Sequence, residues 1–234
     1  MKTIIVGILL WATCLFSHPI KPLFVWKGPP ENKVALTFDD GPKPDVTPRL
    51  LQLLKKNDAK ATFFIVGRDC LLHPDLIEQI DRGGHECANH SFTHLRLDTL
   101  TTSQIQLEIQ STNDIIKNLL GKKMTYFRPP GGRYNQAVTD IIQHNQMTYV
   151  MWTVNAGDYH FAMDSGARRP EEVIQKNADK IAKRLLNQIK QGSIVLLHNT
   201  GDETYIVASR LIEGLKKRGY QLVTLTELLK NAPK

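Results

Sequence analysis

Five short polar clusters carry residue types that do chemistry on water. Asp39 and Asp40 stand side by side in Thr37-Phe38-Asp39-Asp40-Gly41-Pro42, and two histidines follow in His90-Ser91-Phe92-Thr93-His94. Arg128 precedes Pro129-Pro130-Gly131-Gly132, Asp158 precedes Tyr159, and His198 closes Leu196-Leu197-His198. Two histidines spaced i, i+4 can aim both imidazoles at one ion when the segment is a helix or a tight turn. With one carboxylate they form a three-ligand set that keeps a coordination position open, as catalytic rather than structural zinc requires. One of the adjacent aspartates suffices as ligand, which frees the other to act as general base. A third histidine across the pocket can protonate a leaving group if a carboxylate sets its tautomer, and Asp158 is available for that. Arg128 can pair with the free aspartate and hold it ionised. The parts compose a metal-assisted hydrolase with separate base and acid. Rival chemistries lack theirs: no GxSxG elbow, Walker loop or GxGxxG occurs, which counts against a serine esterase, an NTPase and a dinucleotide enzyme.

Such clusters need elements to bring them together. Apolar, β-branched runs predict strands at 34–38, 62–66, 86–88, 125–127, 148–154, 193–197 and 222–225. Helical spacing lies between them. One helix has Ile105, Ile109, Ile116 and Leu119 on its apolar face and opens with Thr101 and Gln104 as a capping box. A second starts at Pro170, with Glu171-Glu172 in its first turn, and runs through Ile189 to stop at Gly192. A third covers 203–218 and closes at Gly219. Strands alternating with helices imply parallel βαβ units, hence a doubly wound sheet or a (β/α) barrel. All five clusters fall at the carboxyl ends of predicted strands, where such a barrel builds its active site. Taken singly, each reads more readily as a helix cap or a core or surface residue. Five on one face do not.

The chain has 234 residues, 41% apolar and 23% charged, which describes one ordinary globular domain able to bury a full core. Its formal charge of +7 suits a nucleic acid, an anionic cell wall or a membrane surface and is silent about fold. The basic pairs are scattered, two of them where helices end, so they read as a solvated face. Residues 1–20 form a separate object. Lys2 leads an apolar run over 4–16, and Ser17-His18-Pro19 follows, the pattern of a secretory signal. That run falls short of the roughly 20 residues that span a bilayer. Its cleavage site is poorly written, with Ala12-Thr13-Cys14 and Ser17 both arguable. Three cysteines without a CxxC pair exclude a zinc ribbon. Cys70 and Cys87 either form a disulfide or are buried apolar residues. His85 and Glu86 read as structural, and His73, His144 and His160 have no partners in the sequence.

The motifs Thr37-Phe38-Asp39-Asp40-Gly41, His90-Ser91-x-x-His94, Arg128-Pro129-Pro130-Gly131, Asp158-Tyr159 and Leu196-Leu197-His198 resemble those of the polysaccharide deacetylases. These form carbohydrate esterase family 4, with the NodB-homology domain. The resemblance runs over about 33–228, inside a single domain of 21–234. It implies a distorted (β/α) barrel of about seven parallel strands and metal-dependent removal of acetyl groups from an extracellular polysaccharide. N-acetylglucosamine in peptidoglycan leads, followed by chitin-type chains. Asp39 would be the base, Asp40, His90 and His94 the ligands of a divalent ion, zinc first. Arg128 would steer Asp39, His198 would be the acid, and Asp158 would tune it. Gly131, Tyr159 and Leu196 would contact substrate. The implied partner is an acetylated glycan, with cell-wall association and neither nucleic acid nor an obligate protein partner. The implied location is secreted or cell-wall associated. Three positions depart from the common pattern: Gly131-Gly132 for Tyr-Gly, Asn155 for Asp, and Tyr159 for Trp. All touch the substrate groove more than the metal.

Overall fold

Strand β2 (Lys33–Gly41) sorts the core into two layers by its period of two. Val34, Leu36 and Phe38 pack with the surrounding helices in a large apolar cluster. Ala35 faces the other way, into a smaller cluster with Phe64, Ala88, Val150, Ile194, Leu225 and Leu228. That smaller cluster fills the concave side of the sheet. The computed structural model describes residues 24–158 and 170–232. The predicted export segment 1–20, Tyr159 and His160 lie outside the described residues.

Helices α1 (Thr47–Lys56), α2 (Gly67–Leu72), α3 (Pro74–Arg82) and α4 (Thr102–Leu120) alternate with β3 (Ala61–Ile65) and β4 (Glu86–Asn89). Then come β5 (Tyr126–Phe127), α5 (Gln136–His144), β6 (Thr148–Val150) and β7 (Val154–Asn155). The chain closes with α6 (Glu171–Gln188), β8 (Ile194–His198), α7 (Asp202–Lys217), β9 (Gln221–Leu222) and α8 (Leu225–Leu229). Every strand pairing is parallel, in the order β1-β6-β5-β4-β3-β2-β8-β7, with β1 at Phe24–Val25 and β9 beside β2.

Three strand readings are corrected. The run 222–225 stops as a strand at Leu222, because Thr224 accepts from Glu227 N–H and caps α8, which Leu225 opens. The short β1 adds an edge within the apolar run 23–26, too short beside Pro22 to be read as a strand. The run 148–154 is divided: β6 pairs toward one edge of the sheet and β7 forms the other. Only Met151, Trp152 and Thr153 separate them, so these edges lie within ~14 Å of each other along the chain. The sheet must therefore curl almost to closure. The crossing segment bonds to both sides: Met151 N–H donates to Val25 O at 2.8 Å, and Thr153 exchanges bonds with Ile194 at 3.0 Å. At the amino ends of the strands, Leu225 and Leu228 of α8 plug the interior.

The capping box on α4 forms as predicted, with Thr101 Oγ1 accepting from Gln104 N–H and Gln104 Oε1 accepting from Thr101 N–H. Pro170 caps α6 from just outside it. Both Cys70 and Cys87 are free thiols. Burial pushes the Cys87 thiol up to about 12, which makes it inert.

Candidate active site at the mouth of the barrel

A regular strand would send Asp39 and Asp40 to opposite faces. Here the register of β2 against β3 shifts between Asp39 and Gly41, a bulge, and Asp40 takes φ +68°. The left-handed residue rolls the second carboxylate back toward the first. Ser91 and His94 are also left-handed, at φ +67° and +64°. Each such conformation costs a non-glycine residue roughly 1–2 kcal/mol. Three of them meet at one pocket, and backbone strain of this kind collects at functional sites.

The conformations converge three side chains. Asp40 Oδ1 lies 3.1 Å from His94 Nε2 and 3.4 Å from His90 Nε2. Donor atoms of these three residues all fall within 4.8 Å of one another. His90 Nδ1 lies 2.7 Å from the carbonyl oxygen of Arg128. A carbonyl only accepts, so Nδ1 carries the proton and Nε2 keeps its lone pair for an ion. Asp40 Oδ1 is buried and, despite those short distances, makes no hydrogen bond of acceptable geometry among the described residues. A buried acceptor left over between two imidazole nitrogens is what a divalent cation would satisfy. Residue types and geometry both fit one. Burial opposes ionisation of Asp40, yet the His90 and His94 imidazoles outweigh it and hold the carboxyl far below the usual carboxylate range. Burial likewise opposes protonation of His90, and Asp39 and Asp40 reverse that and raise its pKa.

Asp39 belongs to a different network. Its Oδ1 accepts from Arg128 Nη1 at 2.7 Å, while Oδ2 lies 3.7 Å from His90 Nε2. Arg128 is wholly buried and donates further to Thr37 Oγ1, Val150 O and Met151 O at 2.8 to 3.0 Å. It thus ties β2 to the segment that closes the barrel. The ring of Phe64 stacks under the guanidinium at 4.0 Å. A buried carboxylate and guanidinium with this many donors engaged have one arrangement.

Across the mouth, Asp158 Oδ1 lies 2.8 Å from His198 Nδ1. Its Oδ2 accepts from His198 N–H at 2.9 Å and from Thr204 Oγ1 at 2.7 Å. Burial disfavours the charged His198 imidazole; Asp158 overcomes this, aided by Asp39 and Asp40, so the pKa is raised. In the parallel pairing of β2 and β8, Asp39 and His198 are register partners on adjacent strands. Thr37 and Leu196 pair one layer below, and Leu196 is buried there.

Gly131 sits in a tight turn at φ +64°, and a side chain added there would meet nothing within 4 Å. That turn's own bonds are donated by Gly132 and Arg133. Asn155 uses its Oδ1 to accept from Gly157 N–H at 2.8 Å, a local turn that leads the chain to Asp158. An amide serves there as well as a carboxylate. His85 and Glu86 lie at the opposite end of β4, away from this pocket. Thr204 was invisible to sequence reasoning: a lone threonine in the first turn of a helix carries no signal. Thr37 stood within the first motif without an assigned role.

Residues 27–150 match the profile of the polysaccharide deacetylases. A peptidoglycan-N-acetylglucosamine deacetylase of Bacillus cereus is 32% identical, over 88% of this chain and 92% of that protein. A peptidoglycan-N-acetylmuramic acid deacetylase of Bacillus subtilis is also 32% identical, over 86% of this chain but 39% of that longer protein. Among solved structures, a CE4 family pseudoenzyme from Bacillus anthracis aligns with a TM-score of 0.77 at 33% identity, covering 89% of this chain and 69% of that one.

Proposed function

The chain belongs to the polysaccharide deacetylase family, and from that premise we propose that it removes N-acetyl groups from N-acetylglucosamine residues of peptidoglycan, with zinc at Asp40, His90 and His94. The observation that carries this reading is the buried Asp40 oxygen left without a hydrogen bond between two imidazoles. Zinc suits a set of two imidazoles and one carboxylate, and when bound it supplies Lewis-acid polarisation and a more acidic water.

The remaining chemistry is done by side chains. Asp39 takes the proton of the attacking water. Arg128 engages its Oδ1, so the carboxylate holds one orientation with Oδ2 toward the ligand histidines. His198 gives a proton to the departing amine nitrogen as the C–N bond breaks. Asp158 fixes the proton on Nδ1 of that ring and favours the charged form the acid needs. Leu196, buried one layer below His198, lines the acetyl methyl site, and the Gly131 N–H is offered to the oxyanion. Tyr159, beyond the described residues, is assigned to the glycan groove.

Export supports the choice of polymer. The signal-like segment 1–20 is read as directing residues 21–234 outside the cell or onto its wall, and the positive charge, +7 over the whole chain, favours an anionic wall. Acetate release from peptidoglycan, chitin oligomers and acetylated xylan, with and without chelator, tests the reading. We expect acetate from peptidoglycan, abolished by chelator and restored by zinc. Full activity after metal removal, or acetate from xylan alone, would refute it. Mass spectrometry of the digested product tells glucosamine from muramic acid.

A further inference from the structure

The turn that carries both ligand histidines is held from outside by one side chain of α4. From His90 to His94 every backbone N–H has an acceptor. His90 donates to Ile65 O at 2.9 Å, Ser91 to Asn89 Oδ1 at 2.8 Å, and His94 to Ser91 Oγ at 3.1 Å. The two in the middle, Phe92 and Thr93, share a single oxygen, Glu108 Oε2, at 2.9 and 2.8 Å. Thr93 Oγ1 donates to the other carboxylate oxygen, Oε1, at 2.6 Å. Glu108 is buried, so these three bonds are what its charge meets in place of water.

The two histidines are anchored unequally. His90 is fixed by Ile65 O on its backbone and Arg128 O on its ring, both outside the turn. His94 has its N–H on Ser91 Oγ, which is part of the turn itself, and its side chain is 41% exposed. Where His94 points therefore depends on the shape of residues 91–93. That shape contains left-handed Ser91 and leads into left-handed His94, which the backbone does not adopt unaided. On its other side the turn is pressed by α2: Gly67 N–H and Arg68 N–H donate to Ser91 O and Phe92 O at 3.0 and 2.9 Å. Glu108 is the charged group that closes the cage.

We propose that Glu108 is a positioning residue of the metal site: it holds the 91–93 turn so that His94 Nε2 converges with His90 Nε2 on Asp40 Oδ1. The inference rests on the zinc reading above and deepens it. Glu108 lies in none of the five motifs. Outer residues that orient metal ligands typically govern affinity by ~10–100-fold.

The test is zinc affinity by competition with a chromophoric chelator, alongside thermal unfolding of the metal-free proteins. Glu108→Ala should weaken zinc binding by ~10–100-fold while the metal-free protein remains folded. Glu108→Gln should restore most of the affinity, because its amide oxygen can accept both N–H groups and its amide nitrogen can donate to Thr93 Oγ1. A purely structural role would lower the unfolding temperature and leave affinity alone. Wild-type affinity in Glu108→Ala, or a Gln variant as weak as the Ala variant, overturns the proposal. If Glu108→Ala does not fold, Thr93→Val decides: weaker zinc binding supports it and unchanged binding overturns it. His94→Ala separates the two layers of argument. If that variant binds zinc like wild type, the ligand assignment itself fails, and Glu108 falls with it.

Discussion

At the carboxyl ends of the strands, Asp39, Asp40, His90 and His198 gather round one pocket; at the amino ends, His85 and Glu86 sit on β4 among similar residue types. The lower pair is satisfied by uncharged neighbours. Glu86 accepts from Thr62 Oγ1 at 2.9 Å and from Thr226 through both its N–H and its hydroxyl. His85 Nδ1 accepts from Ala61 N–H at 3.3 Å, and its ring meets Phe63 edge-on. Burial, with Lys60 adding to it, pushes the His85 imidazole down to about 4, so it is neutral at ordinary pH. Burial likewise pushes the Glu86 carboxyl upward. In the upper cluster the charged groups meet each other, the histidine pKa values rise, and Asp40 Oδ1 is left over. Residue type does not separate a reactive cluster from a structural one. What each polar atom is bonded to does.

The largest effect that would break this contrast is expected at Asp39. Asp39→Asn keeps the shape of the side chain and removes its ability to take a proton. General base help is typically worth ~10²–10⁴ in rate, so deacetylation should fall by that much while metal content stays at the wild-type level. Stability should fall too, since buried Arg128 loses the carboxylate opposite it. Elemental analysis beside initial rates checks the claim. Loss of the metal together with activity would make Asp39 a ligand and undo the division between the two aspartates.

A smaller, more selective effect is expected at His198. An amine leaves only when protonated, whereas the leaving group of an activated ester needs no proton. His198→Ala should therefore lose much of its rate on an N-acetyl substrate and far less on an activated acetyl ester, with the metal retained. Equal losses on both would remove the acid role. Thr204→Val offers a milder version, since it frees one side of Asp158 without touching the ring.

Much of this architecture was legible because the clusters close strands, and strands announce themselves by apolar runs. The α4 capping box was equally local, written in Thr101 and Gln104. The rest depends on closure of the barrel. Met151, Trp152 and Thr153 read as a continuing strand, since Trp and Thr favour strands and Met prolongs the apolar run. They become a crossing because the two sheet edges must meet there. The bulge at Asp40 was hidden for the same reason: adjacent residues in a strand face apart until a neighbouring strand shifts register. Glu108 and Thr204 were silent because a single polar residue on a helix has no pattern, and only the packed turn reveals its partner.

The smallest expected effect sharpens the comparison from the lower end. His85 is buried with a folded-state pKa of about 4, below the 6.5 of an unperturbed imidazole. Between those two pH values the unfolded chain binds a proton that the folded chain refuses. Stability then rises with pH across that window and is lost as pH falls through it. A shift of this size corresponds to at most about 3 kcal/mol, expressed fully only near pH 4. In His85→Gln that proton is gone, while the amide oxygen can still accept from Ala61 N–H. Urea unfolding midpoints of the variant and wild type should therefore differ at pH 6.5 by one amount and converge, or cross in favour of the variant, toward pH 4. Comparing the two proteins cancels other titrating groups, provided these are not coupled to His85. Deacetylation at neutral pH should be unchanged, because nothing at this end of β4 touches the pocket. Midpoints that stay parallel from pH 6.5 to 4 would mean that His85 titrates normally and that burial is not what silences the lower cluster. A loss of deacetylation in His85→Gln without a loss of stability would move the boundary between the two ends of the barrel.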